Sequence, residues 1–264
     1  MNRKEIIKNF KENGFVLLNK NFSNLKRLNN FTDKFTFKYS NDAKRREKIN
    51  NFKYLNSVDK GKHAIPLHSE SSFTSVWPKA IWFYCKDISK NNSGKTLLCD
   101  GLKLWENLSQ DTKEYFLSTV FCFDLQIDLN LKNKKRGKKK WFLNKLGFGD
   151  TWLDYKKDVL LTKNTKFLVS KEEFSNAYCF VNHLFTCLIK QEEQIIKFYP
   201  INKKNIPKAI INEIKTKSEK LTFEHAWKKG DLLFINNRRF LHGRTKINNL
   251  SRQIINIQSL EINF

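Results

Sequence analysis

The chain is poor in the residues that punctuate and cross-link proteins: 264 residues hold 9 Gly, 4 Pro, 1 Met and 5 Cys. No G-x-x-x-x-G-K-S/T or G-x-G-x-x-G string occurs, so a glycine-rich loop that cradles nucleotide phosphates has no support. G-x-S-x-G, the turn that exposes a hydrolase serine, is missing as well. The cysteines (Cys85, Cys99, Cys122, Cys179, Cys187) are odd in number and lack C-x-x-C spacing. Several lie inside apolar runs, which reads as reduced, buried thiols rather than a disulfide or zinc framework. No apolar run approaches the roughly 18 residues of a membrane-spanning helix. The charged start, Met1-Asn2-Arg3-Lys4-Glu5, argues against a secretory signal, so a cytoplasmic protein is expected.

Negative charge is scarce too, with 26 Asp and Glu against 50 Lys and Arg, a formal net charge of +24. The lysines are spread along the chain among Asn, Ile and Phe, residues with A/T-rich codons, so a nucleic-acid partner is not expected from charge alone. The densest basic block, Lys132–Lys140, suits a solvated loop or the docking of an acidic partner.

What is present is a large apolar reserve: 40% hydrophobic residues, including 23 Phe. The pattern predicts an amphipathic helix near Lys4–Asn13 and a short strand at 14–18, then a polar stretch of helix and loop at 31–62. Ala80–Cys85, Thr96–Cys99 and Leu232–Ile235 read as buried strands, and Arg252–Ile262 as one or two more. Ser93-Gly94 is a turn signal before Thr96, and Gly230-Asp231 another before Leu232. Helices are predicted at 104–108, 112–119, 190–198 and 206–221, the last begun near Pro207. With no linker and no internal repeat, the expectation is one domain, 1–264. Its fold class is mainly β with flanking helices, on a double-stranded β-helix core of jelly-roll or cupin type, with a lid or insert around 121–180.

The chemistry-bearing residues are few. In an extended segment, His68 and Glu70 would share one face. A distant histidine, His242, follows an apolar strand and a polar turn. A 2-His-1-carboxylate set occupies one face of an octahedral metal and points to non-heme Fe(II) oxygenases, although zinc fits the same set. Arg252 lies ten residues beyond His242, and an arginine beside a hydroxyl such as Thr96 suits a carboxylate. Arg238, Arg239 and Arg244 flank His242, and Arg244 is a candidate substrate contact. His63 and His225 lack ligand spacing and read as surface or structural.

The segments LHSESSF, WPKAIWFYC and NSGKTLLCDG, followed by GDLLFINNRRFLHGR and Arg252, resemble the TauD/TfdA superfamily of Fe(II)/2-oxoglutarate-dependent oxygenases. The resemblance covers about residues 62–108 and 224–258. The His-x-Glu form of the triad is similar to the clavaminate-synthase-like branch. This resemblance implies Fe(II) at His68, Glu70 and His242, with 2-oxoglutarate held through its distal carboxylate by Thr96 and Arg252, and O2 as co-substrate. Asn182 matches a pocket-lining segment, implying a substrate contact. Two positions depart from the family pattern: Ser93 replaces a glycine, and Asn256 stands where a second arginine often follows. Glu70 fills the place that halogenases leave to Gly or Ala, so hydroxylation, desaturation or cyclisation is implied instead of halogenation. The expected substrate is a small molecule, an amino acid or its derivative, anionic or carrier-bound. The alternative is an inactive jelly-roll protein that holds an acidic partner on its basic surface.

Overall fold

The computed structural model describes residues 1–40, 47–49, 52–59, 61–88, 93–128, 149–154, 159–192, 196–248 and 252–264. The basic block Lys132–Lys140 and part of the expected lid fall outside them. Along the chain the elements are α1 (Arg3–Asn13), β1 (Phe15–Asn19), α2 (Leu25–Asp33), β2 (Thr36–Tyr39), β3 (Asn56–Ser57), β4 (Ile65–His68), β5 (Ala80–Asp87) and β6 (Thr96–Asp100). Next come α3 (Gly101–Asn107), α4 (Gln110–Leu117), β7 (Phe121–Asp128), β8 (Asp150–Asp154), β9 (Val159–Lys166), β10 (Ser170–Lys171) and β11 (Tyr178–Cys179). The last third holds α5 (Leu184–Glu192), β12 (Ile196–Pro200), α6 (Lys208–Leu221), β13 (Phe223–His225), β14 (Asp231–Asn236), β15 (Phe240–Arg244) and β16 (Gln253–Ile262).

Two antiparallel sheets form the jelly roll. The major sheet runs β1-β14-β5-β16-β2, with β3 also on β16, and the minor sheet runs β13-β6-β15-β4. Every pairing in both joins a strand from the first hundred residues to one of β13–β16. The ribbon β10-β11 and three strands of a third sheet, β12-β7-β9-β8, fall in the region 121–180 read as lid or insert, and β12 joins that sheet from beyond it.

The major sheet is covered on both faces, which is why Ala80–Cys85 reads as an unbroken apolar run rather than an alternating one. Ala80, Trp82 and Tyr84 pack with Leu232 and Phe234 against α1 and α2. Ile81, Phe83 and Cys85 point the other way, with Leu233 and Ile235, toward Leu98 and Phe240 of the minor sheet. α1 begins with a capping box, in which Asn2 accepts from the Glu5 N–H and Glu5 accepts from the Asn2 N–H. Its Phe10 stacks on Phe234 at 4.2 Å, and Phe234 stacks on Trp82 at 3.6 Å. Truncating such a ring to alanine costs about 3–5 kcal/mol.

Two sequence expectations change and a third is narrowed. The stretch 31–62 contributes the edge strands β2 and β3 rather than helix and loop alone. Lys190–Phe198 is not one helix: α5 ends at Glu192 and β12 begins at Ile196. Pairing with β7 draws 196–200 into a sheet, overriding local helical preference. Arg252–Ile262 yields a single long strand, β16.

Candidate metal centre

His68 ends β4 and His242 sits mid-β15, and the two are backbone partners across the antiparallel pair. The intervening Gly243 lets the strands approach: a Cβ there would stand 2.7 Å from the Ile65 carbonyl oxygen. His68 Nδ1 lies 2.9 Å from the Pro66 carbonyl. A carbonyl only accepts, so Nδ1 carries the proton and Nε2 presents its lone pair.

Glu70 reaches the same point by another route. The sequence reading put His68 and Glu70 on one extended strand, but the strand stops at His68 and Glu70 lies in a turn. Asn237 makes that turn. Its Oδ1 accepts from the Glu70 N–H at 2.9 Å, while its Nδ2 donates to the Glu70 carbonyl at 3.1 Å and the Pro78 carbonyl at 2.9 Å. Ser69 donates its hydroxyl to the Asn237 carbonyl at 2.7 Å. Asn237 is fully buried, two residues past the apolar run Leu232–Ile235. Its sole sequence signal is a polar pair, Asn236-Asn237, breaking an apolar run just before the second histidine.

Glu70 Oε2 stands 3.7 Å from His68 Nε2 and 3.9 Å from His242 Nε2. One donor atom from each of the three falls within 4.8 Å of the others. Cis donors about 2.1 Å from one ion stand about 3 Å apart, and the two carboxylate–histidine separations exceed that by under about 1 Å, so the set can draw in around a metal. The surroundings are ordered: the His242 ring lies 4.4 Å from that of His68 and 5.6 Å from Phe83. His183, buried, sits 5.2 Å from the His68 ring and has Nδ1 2.9 Å from the Ser69 carbonyl.

Thr96 opens β6 and is the backbone partner of Arg244. Arg252 donates to the Gly94 carbonyl, two residues before Thr96. Burial, and next the neighbouring charge of Arg244, pull the Arg252 guanidinium down to about 10. Arg244 is likewise lowered, chiefly by burial. Two desolvated guanidiniums and a hydroxyl thus gather at one end of the minor sheet, a setting that favours an anion.

The remaining candidates separate cleanly. Arg244 donates to the carbonyls of Asp59, Gly61 and His63 at 2.6–2.9 Å, so most of its donors secure the loop leading to β4. Arg239 forms a buried pair with Asp100, and Arg238 donates to the Trp77 carbonyl. The Asn182 amide is engaged by backbone at both ends, donating to the Leu168 carbonyl and accepting from the Leu184 N–H at the start of α5. Asn256 is buried on β16, opposite Phe83. His63 is exposed, and His225 pairs with Asp231 at 3.2 Å.

Comparison with known proteins adds three findings. The model of the "Taurine catabolism dioxygenase TauD, TfdA family" matches residues 1–257. A curated relative, 3-((Z)-2-isocyanoethenyl)-1H-indole synthase of Fischerella ambigua, is 24% identical over 188 residues, 68% of this chain and 57% of the relative's length. Solved structures share the fold at low identity. PvcB of Pseudomonas aeruginosa has a TM-score of 0.64 at 11% identity, covering 98% of this chain and 80% of its own. A taurine dioxygenase of Burkholderia xenovorans has a TM-score of 0.61 at 12% identity, covering 100% and 82%. PvcB is described as an Fe, α-ketoglutarate-dependent oxygenase from an isonitrile synthetic pathway.

Proposed function

Because the chain belongs to the TauD/TfdA family of dioxygenases, we propose that it is an Fe(II)- and 2-oxoglutarate-dependent dioxygenase in which His68, Glu70 and His242 hold the iron. The observation that carries this reading is the convergence of two Nε2 atoms and one carboxylate oxygen, from β4, its following turn and β15, on one point. Bound iron, with the keto-acid end of 2-oxoglutarate and O2, supplies the oxidising chemistry.

The chain's own residues hold and orient. The Pro66 carbonyl fixes the His68 tautomer, and Asn237 fixes the peptide on both sides of the Glu70 side chain. Such outer contacts tune ligand direction and basicity. Arg252, aimed by the Gly94 carbonyl, pairs with the distal carboxylate of 2-oxoglutarate, and Thr96 donates a hydrogen bond to it. Phe83 and the apolar space between the sheets exclude water from one side of the donor set.

The reaction is oxidation of an unactivated C–H bond of a small molecule, by hydroxylation or a related desaturation. An amino acid or amino-acid derivative, free or carrier-bound, is the proposed substrate class. The product named for the Fischerella ambigua relative joins an indole to two carbons and a nitrogen, the skeleton of a decarboxylated tryptophan. That skeleton supports the proposed class. Anaerobic addition of Fe(II) and 2-oxoglutarate should raise the visible charge-transfer absorption of a chelated keto acid, and O2 should then release succinate. His68→Ala should abolish both signals, and full succinate release by that variant would overturn the triad.

A further inference from the structure

We propose that Trp227 is a positioning residue of the 2-oxoglutarate site, fixing the direction in which Thr96 offers its hydroxyl proton. This rests on the cofactor reading above. Trp227 is 2% exposed and lies between β13 and β14, packed with Leu98, Phe240 and Ile254 in the space between the sheets. Its Nε1 donates to Thr96 Oγ1 at 3.0 Å, with both residues buried.

The chemistry of the two groups sets the direction. An indole N–H can donate but never accept. Oγ1 is therefore the acceptor, one of its lone pairs is taken, and the hydroxyl proton must lie away from the indole. Thr96 faces Arg244 across the sheet, and Arg252 is bonded to the Gly94 carbonyl nearby. Guanidiniums accept nothing, so the proton's fitting partner is the acceptor that the arginines also attract, a carboxylate.

The indole is itself held. The His225 ring meets it edge-on at 4.6 Å, His225 Nε2 lies 3.2 Å from the Asp231 carboxylate, and that carboxylate also accepts the Lys228 N–H at 2.8 Å. A turn closed on Asp231 thus braces the histidine against the ring, and the ring aligns the threonine. Without the indole N–H, the hydroxyl can rotate and spend part of its time donating elsewhere.

The test compares Trp227→Phe, Thr96→Val and the double variant by 2-oxoglutarate affinity, read from the anaerobic Fe(II) absorption and from the KM for succinate release. Trp227→Phe keeps a buried ring but removes the donor, and should weaken 2-oxoglutarate roughly 3- to 10-fold while kcat at saturation stays near wild type. In the Thr96→Val background the same change should do nothing further. Unchanged affinity in Trp227→Phe, or an effect that persists without the Thr96 hydroxyl, overturns the proposal. A second readout avoids dependence on the folding of Trp227→Phe. In wild-type protein carrying Zn(II), the indole N–H resonance that Thr96→Val displaces should also shift on adding 2-oxoglutarate, and a stationary resonance counts against the proposal. Wild-type protein that never develops the absorption overturns the cofactor reading, and this one with it.

Discussion

A methyl group added at Gly94 would lie 2.8 Å from an Arg252 guanidinium nitrogen and 2.6 Å from Ile247 Cγ1, on a backbone with φ of +78°. Only glycine adopts that conformation freely, and its carbonyl is what Arg252 binds. Gly94→Ala should therefore displace Arg252. We expect 2-oxoglutarate KM to rise about tenfold or more, as when a charge-assisted hydrogen bond is lost, with a melting loss of a few degrees. An unchanged KM would separate Arg252 from the cosubstrate. At this scale much was legible in the sequence. The candidate donors His68, Glu70 and His242, which the fold brings together, stood out through residue type and order, as did the proposed carboxylate partners Thr96 and Arg252, because their chemistry is carried by side chains. What makes Glu70 point correctly was not legible. The i, i+2 alternation of a strand was the natural reading of His-Ser-Glu, whereas a turn clamped by Asn237 does the work. Asn237 is distant in sequence from that turn, and nothing local distinguishes a clamp from a strand end.

Among elements, the Asp100–Arg239 pair joins several pieces. Asp100 ends β6, caps α3 through the Leu102 N–H, and accepts from Arg239 Nε and Nη2 at 2.8–3.2 Å. Arg239 in turn donates to the Glu12 carbonyl at the end of α1. Asp100→Ala would leave Arg239, a residue 9% exposed, without its counter-ion. Breaking a buried pair from one side costs about 3–5 kcal/mol. The melting temperature should fall on the order of 10 °C, and a shift below about 2 °C would refute this role in coupling α1, α3 and β15. Element types were readable where the pattern was strong, by helical periodicity in α1 and α6 and by an unbroken apolar run in β5 and β14. The break between α5 and β12 was not, because Ile196–Pro200 becomes a strand through its partner β7 rather than through its own composition.

For the whole molecule, the +24 charge meets its sharpest local conflict at Lys166. Its ammonium donates to the Ser72 and Thr74 carbonyls and lies 4.7 Å over the Trp77 ring. Burial, and then the charge of Arg238, bring it down from an ordinary 10.5 to about 8. Between those values the folded state binds fewer protons than the unfolded state at this position, so its contribution to stability grows as pH rises from about 8 to 10.5. Buried thiols act in the opposite sense above pH 9, since Cys85 is pushed up to about 11 and Cys99 to about 12. Melting wild type and Lys166→Met across this range cancels the thiols. The difference should move in favour of wild type as pH increases, and a flat difference would rule out a depressed Lys166. The fold class was legible in the sequence because many short apolar strands between polar turns leave few architectures. Strand order was not, since a strand's sequence says how it is buried and not which distant strand it joins.

The pairing scheme of the two main sheets also fixes a temporal order. β4 reaches the minor sheet only through β15, and β5 lies between β14 and β16. A chain emerging from the ribosome therefore makes β1 to β6 long before any of their partners exists. Neither sheet can close until the last forty or so residues are synthesised, and His242 is among them. Until then His68 and Glu70, two of the three proposed ligands, lie on an unpaired segment and are too few to hold an ion firmly. Iron capture would thus be the closing event of biosynthesis, and a nascent or C-terminally truncated chain would not compete for the cell's metal.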